Sequence, residues 1–447
     1  MKTNKIRHIV ALIAVAMIAC LLVGCGKEDK EIYVMSFTNE VTGMVETYVK
    51  AKGLDKEGWT VKTNIVATDG GAYQTALDEA LKAGGKEVPD IYGAEAAFVL
   101  KYTQGDFADF AGTYDNLGIK TTEEIKAAEI AKYAYEIGTR PSDGKIVALP
   151  YQSTGGAFIY NRDVAIATWG TDDPAEVAKK IGGGSGNWDQ FWKAAEELKA
   201  KGFGIVSGDG DIWHPLENGS AKGWLVNGKL HIDPSRESLL DVSKKLKDNN
   251  YHNETQDWQE GWFADMAEIG PKKVLGFFGP AWLINYTMNE HSGDTAGRWG
   301  VTTSPVGFSW GGTWVVAGKN VADNKKAIVA DIIRWITLDT TKEGLQYQWA
   351  MGTYNGGTGE TKDTVCSNVV LKMANGETGF VGGQNMFEYF IPANVNARGD
   401  NMTQYDEKIN NIWRDKVRAY VAGDLTRDQA IAEFKAQVKT DLGFDAE

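Results

Sequence analysis

Short apolar runs alternate with stretches of helical periodicity along this chain, and that alternation constrains the fold more than any other feature. Ile32-Tyr33-Val34-Met35-Ser36-Phe37 reads as a buried strand. Tyr73, Ala76, Leu77, Ala80 and Leu81 then recur at i, i+3, i+4, i+7 and i+8, which predicts a helix over 71–83, stopped by Gly84-Gly85. Val88-Pro89-Asp90-Ile91-Tyr92-Gly93 reads as a second short strand. Strand and helix in turn predict α/β units on a largely parallel sheet. At ~100–200 residues per domain, such a chain divides into two or three. A helix is predicted over 187–201, with Asn187 and Gln190 at its start and Trp188, Phe191, Trp192, Ala195 and Leu198 on one stripe. Leu225-Val226-Asn227-Gly228-Lys229-Leu230 carries an Asn-Gly hairpin signal. Two closing helices are expected, one on Ile409, Ile412, Trp413, Val417 and Tyr420, the other opened by Thr426 with Gln429.

The first residues read as an address. Lys2, Lys5 and Arg7 precede a 14-residue apolar run, Ile9 to Leu22, which is short for a membrane span and suits a signal peptide. The run ends in Leu22-Val23-Gly24-Cys25, which resembles the bacterial lipobox. The resemblance implies a signal peptide over 1–24, Cys25 diacylated as the first mature residue, and a polar tether over 26–31. An uncut signal anchor with Cys25 as an ordinary thiol is the other reading. Processing would leave 44 basic and 60 acidic residues, moving the formal charge from −13 to −16. Cys366 would be the only thiol left, so no intramolecular disulfide is expected.

Composition and motifs exclude several functions. The negative charge argues against binding nucleic acid, which needs clustered Lys and Arg. There is no Cys-x-x-Cys, no His-Glu-x-x-His and no P-loop, so neither metal nor cofactor is expected. Gly307-Phe308-Ser309-Trp310-Gly311 matches the nucleophile-elbow pattern. An elbow needs a helix after the Ser and a His later in the chain; a turn and strand are read here, and no His follows Ser309.

Tryptophan is the unusual residue. Twelve of the 15 lie between Trp188 and Trp349. Trp188, Trp192, Trp335 and Trp413 sit on apolar helix stripes and read as core. Trp213, Trp258, Trp262, Trp282, Trp310 and Trp349 read as loop or strand-end residues, with Tyr354 in the Gly-rich turn beyond. Sugars supply a reason for such a set. The axial C–H face of a pyranose stacks on an indole, and its hydroxyls want planar polar partners.

The order of segments resembles the extracellular solute-binding proteins of ATP-driven importers, of the maltose-binding type, over nearly the whole mature chain. Pro89-Asp90-Ile91-Tyr92-Gly93, Gly144 to Tyr151, Tyr160-Asn161-Arg162-Asp163, Asn187-Trp188-Asp189-Gln190-Phe191, Gly279-Pro280-Ala281-Trp282, Trp299-Gly300-Val301-Thr302, Gly311-Gly312-Thr313-Trp314 and Ala330 to Leu338 each look like a family segment in its place. The resemblance implies a two-lobed periplasmic-binding-protein-like α/β fold, each lobe a mainly parallel sheet flanked by helices, with three hinge crossings. One lobe would comprise 32–150 and 304–339, the other 151–303 and 340–447. It implies ligand contacts at Asn39, Glu40, Glu95, Gln152, Trp213, His214, Trp282, Trp310, Gly311, Gly312, Trp349 and Tyr354. His214 and the extra residues at 225–233 and 355–377 depart from the family.

The function expected is therefore a lipid-anchored, non-enzymatic, monomeric receptor on a Gram-positive surface. It would hold an oligosaccharide and pass it to the membrane permease of an ABC importer with a cytoplasmic ATPase. A surface glycan-active enzyme, or the same fold holding a polyamine, are the alternatives.

Overall fold

The computed structural model describes residues 29–354 and 361–447. The expected signal peptide, Cys25 and part of 355–377 lie outside the described residues. Among those described, no helix is long and apolar enough to cross a membrane.

Two sheets organise the chain. The first has the order β2-β1-β3-β8-β4, from β1 (Glu31–Ser36), β2 (Thr60–Ile65), β3 (Ile91–Glu95), β4 (Ala148–Pro150) and β8 (Thr313–Ala317). The second has the order β6-β5-β7, from β5 (Ala157–Asn161), β6 (Gly276–Gly279) and β7 (Trp299–Thr302). Helix α1 (Asn39–Ala51) follows β1, with Thr38 as its N-cap, and α2 (Ala72–Ala83) matches the predicted helix. The Tyr73 hydroxyl of α2 donates to the Gly93 carbonyl at 2.6 Å and pins the helix to β3.

The expectation of mainly parallel sheets is corrected. β1 is parallel to β2 and β3, but β8 is antiparallel to both β3 and β4. In the second sheet β6 and β7 both run antiparallel to β5. Connectivity is the physical reason. β4 leaves the first sheet for the second, and β8 returns from it, so β8 starts at the edge where β3 and β4 end. β5 arrives in the second sheet from that edge, and β6 and β7 run back toward it.

The second sheet separates two apolar cores. Ala157, Ile159 and Phe277 face a core continuous with that of the first sheet. Phe158, Tyr160 and Phe278, one residue out of phase, face the other. That second core takes Phe191 and Leu198 from α3 (Asp189–Lys199), Ile212 and Leu216 from α4 (Gly210–Asn218), and Trp413 and Phe434 from α9 (Asp406–Ala422) and α10 (Arg427–Leu442). The first takes Trp262 from α5 (Glu260–Met266) and Trp335 from α6 (Asp323–Thr337), and α7 (Leu345–Ala350) and α8 (Phe387–Asn396) follow.

Local signals were obeyed closely. Asn227 and Gly228 both take positive φ in the expected hairpin. Thr426 and Gln429 form a reciprocal capping box. Asn187 lies just before α3 and accepts from the Asp189 N–H at 3.0 Å, so the helix begins two residues later than predicted.

The connections between the sheets run side by side. Trp310 N–H donates to Thr154 O at 3.0 Å, and Gly156 N–H to Phe308 O at 2.9 Å. Thr154 Oγ1 donates to Gly311 O at 2.9 Å. Ala96 N–H donates to Gly312 O at 2.9 Å, which joins the end of β3 to the start of β8.

Candidate functional site

A cavity of about 230 Å³ opens where the end of β3, the C-terminal half of α4, the 309–311 connection and the start of α9 converge. β3 brings Glu95, α4 brings His214, Glu217 and Asn218, and the connection brings Ser309, Trp310 and Gly311. Met402, Thr403, Asp406, Glu407 and Asn410 complete the rim. The lining holds four carboxyls and one imidazole, and no Lys or Arg among the described residues.

Burial sets the electrostatics. It pushes the Glu95 carboxyl up to about 7, opposed by the Ala97 N–H at 2.7 Å and assisted by the charge of Glu407. The buried Asp406 is likewise pushed up to about 7, although Thr403 donates to it from its hydroxyl at 2.6 Å and its N–H at 3.0 Å. The Arg236 guanidinium reaches only to 3.8 Å from Asp406 Oδ2, beyond hydrogen-bond range. Burial raises Glu407 too. Glu217 goes the other way. Burial is again the largest influence, but His214 Nδ1 at 3.4 Å, Arg236 and the Asn410 amide at 2.5 Å together outweigh it, so this carboxyl lies below its usual range.

An aromatic array borders the cavity. The His214 and Trp310 rings stack at 4.5 Å and 25°. Trp282 meets Trp310 edge-on at 4.8 Å and donates its indole N–H to the Trp310 carbonyl at 2.8 Å. Trp258 lies parallel to Trp282 at 5.9 Å and 9°. Trp258 is 49% exposed and adopts φ +67, a region a bulky side chain rarely occupies. Gly311 has φ +76, and a Cβ there would lie 3.3 Å from Trp282 Nε1, so glycine lets the connection pass close under the indole. Trp282 leads into a π-helical turn, Leu283–Met288.

Of the site residues expected from sequence, Glu95, His214, Trp310 and Gly311 line this cavity, and Trp282 adjoins it. Gly312 does not line it; its carbonyl ties β8 to Ala96. Asn39 is exposed at the start of α1.

Four expected contacts are corrected. Trp213 is 2% exposed, in the second core. Trp213 reads as a loop or strand-end residue, yet it lies in α4 with Pro215 inside the same helix, and Ile212, Trp213 and Leu216 pack inward. Trp349 and Tyr354 are 2% and 1% exposed and pack beside Tyr151, with Trp349 edge-on to it at 5.2 Å. Gln152 is buried, and its amide N–H is committed to Asp363 at 2.6 Å. These three belong with Glu40, which accepts from the Tyr151 hydroxyl, in a polar-aromatic knot. Trp262, read as a loop residue, is also core and donates to Asp211 at 2.9 Å.

Glu217, Asn218, Asp406, Glu407 and Asn410 were missed. Carboxylates and amides are too common for any of them to stand out, and only the helix start at Thr403–Asp406 offers a local signal. Ser309 is no nucleophile elbow: its hydroxyl bonds the Asn218 side chain at 3.3 Å, and β8 follows it. Among the described residues, no cluster of three or more His, Cys, Asp or Glu could hold a metal ion.

Solved structures share this architecture. The sugar-binding protein MalE from Xanthomonas citri aligns with a TM-score of 0.67 at 12% identity, over 92% of this chain and 96% of its own. The galacto-N-biose-/lacto-N-biose I-binding protein of a Bifidobacterium longum ABC transporter, in complex with lacto-N-biose, aligns at 0.63 and 16%, over 93% and 98%. The ABC transporter associated binding protein from B. animalis subsp. lactis, in complex with β-1,6-galactobiose, aligns at 0.58 and 20%, over 94% and 99%. At such identities the likeness is one of fold. A search of the curated proteins gave no significant match. The family profile described as bacterial extracellular solute-binding protein matches residues 44–359, most of the chain, and the chain therefore belongs to the bacterial extracellular solute-binding proteins.

Proposed function

We propose that this protein is the substrate-binding component of an ABC importer and captures an oligosaccharide in the cavity beside Trp310. The Trp258–Trp282–Trp310–His214 array carries this reading. It sets aromatic rings against carboxyl and amide groups, the pairing that a pyranose with apolar faces and equatorial hydroxyls requires. The β-1,6-galactobiose and lacto-N-biose named for two proteins of the same fold agree with it. The lobes would comprise 32–150 with 304–339 and 151–303 with 340–447. They would close on the ligand, and closure would be what the permease recognises. Diacylated Cys25 would hold the protein at the outer face of the membrane, monomeric and without catalysis of its own.

Two experiments test this. A soluble Cys25→Ser chain beginning at residue 25 is titrated with a broad oligosaccharide panel, and Trp fluorescence and heat are followed. A saturable response to one structural series is expected; no response to any member refutes the sugar reading. An alkyne fatty acid fed to expressing cells should label the wild type and not Cys25→Ser. Equal labelling of both refutes the anchor.

A further inference from the structure

Trp258 is held in a conformation that its own backbone resists. Its φ of +67 is rare for a bulky residue and persists only where the surroundings impose it. The ring lies parallel to Trp282 at 5.9 Å and edge-on to Trp310 at 5.9 Å, yet 49% of the residue is exposed. Gln256, Gln259 and Glu260 beside it are exposed as well.

Asp257 is the exception in this run. Its side chain is 14% exposed and pairs at 2.5 Å with Arg414 of α9, itself 20% exposed. Burial alone would raise the carboxyl, but the Arg414 charge outweighs it and holds Asp257 below its usual range. Helix α4 leaves room for the pair. A Cβ on Gly210, its first residue, would lie 2.6 Å from Asp257 Oδ1 and 3.0 Å from Arg414 Nη2, so glycine serves space there. Three segments distant in sequence therefore meet behind Trp258, and Arg414 lies one turn beyond the cavity residue Asn410 on α9. Neither Asp257 nor Arg414 lines the cavity. Thr255 ties the loop separately, through a hydroxyl contact with Ser207 at 2.5 Å.

We propose that Asp257 and Arg414 are positioning residues for the ligand site, their ion pair holding Trp258 against Trp282 and Trp310. The inference rests on the sugar reading above. A platform fixed before binding loses less freedom when the ligand arrives, so the pair raises affinity without making a ligand contact.

The test combines Asp257→Asn/Arg414→Met with Trp258→Ala, all in the Cys25→Ser chain. The pair variant removes both charges, so none is left buried and unpaired, and its folding is checked by thermal unfolding. Calorimetry uses the saccharide that responds in the panel above. Trp258→Ala and the pair variant should each weaken it about fivefold, the contribution of one stacked ring. The triple variant should lose no more than about twofold beyond Trp258→Ala. A pair that supported only the fold would weaken binding again in the Trp258→Ala background. That result, or an unchanged affinity in the pair variant, would overturn the proposal. Nuclear Overhauser contacts between the Trp258 ring and the rings of Trp282 and Trp310, in Trp-labelled protein, report the position without ligand. They should vanish in the pair variant, and their persistence would also overturn it. If the wild type binds no saccharide, the sugar reading falls and these contacts alone decide the positioning role. Gly210→Ala intrudes on the pair from α4 with both charges kept. It should give the same two readings, and it decides the matter if the pair variant does not fold.

Discussion

Replacing Trp282 probes whether the aromatic array is held by its own packing. The indole packs edge-on to Trp310 at 4.8 Å, lies parallel to Trp258 at 5.9 Å, and donates to the Trp310 carbonyl at 2.8 Å. Each aromatic pair contributes about 0.5–1.5 kcal/mol beyond buried area, and the hydrogen bond about 0.5–1.5 kcal/mol. The ring is half-buried and water can replace the lost N–H in part, so Trp282→Ala should lower the unfolding free energy by about 2–4 kcal/mol. Trp282→Phe keeps a ring and loses the donor, so it should cost only about 0.5–1.5 kcal/mol. Urea unfolding of both variants, followed by far-UV circular dichroism, reads the two numbers. Equal losses would mean that the N–H matters and the stacking does not. A loss below about 0.5 kcal/mol for Trp282→Ala, the range of an unremarkable surface change, would refute the argument altogether.

Other outcomes follow from the same geometry. Trp213→Ala should destabilise the fold by about 3–5 kcal/mol as a core truncation, whereas Trp258→Ala, which removes a half-exposed ring paired with Trp282, should cost only about 0.5–1.5 kcal/mol and weaken saccharide binding, as thermal unfolding and calorimetry would show. Gly311→Ala should cost about 1–2 kcal/mol in urea unfolding, since an L residue is strained at φ +76 and its Cβ crowds Trp282. Glu95 and Asp406 have folded pKa values of about 7, above their ordinary 4.5 and 3.8, so the folded state binds more protons between about pH 4 and 7. Their contribution to the stability of the ligand-free protein therefore falls as pH rises through that window and levels off above it. Glu95→Gln should flatten the decline in a pH series of thermal unfolding; an unchanged slope would contradict the raised value.

The elements of the fold were largely legible in the sequence, because the signals that define them are local. The helix from Ala72, the Asn227-Gly228 hairpin and the Thr426–Gln429 box each depend on residues within a few positions of one another. The site was legible only in part. Glu95, Trp310 and Gly311 came from the family resemblance and His214 from a departure from it, and the four meet at the cavity, whereas Gln152, Trp349 and Tyr354 turned inward around Tyr151 and Asp363. Nothing in their neighbours distinguishes an indole that faces a cleft from one that faces a core. Trp213 shows this best: beside His214 and Pro215 it reads as a loop platform, and a single helical turn rotates it into the second core while His214 stays at the rim.

By itself, then, the sequence determined the strand and helix order, the caps and turns, the lack of common enzyme motifs and the concentration of tryptophan in the middle of the chain, since each is a property of spacing or count. Tertiary structure alone decided the strand directions and the composition of the cavity. β8 is antiparallel to its neighbours because the chain returns from a second sheet, and Glu95 meets Asp406 and Glu407 across more than three hundred residues because α9 comes back to the end of β3. Such long-range convergence raises the carboxyls' pKa by excluding water from them, an effect that resides in no stretch of sequence.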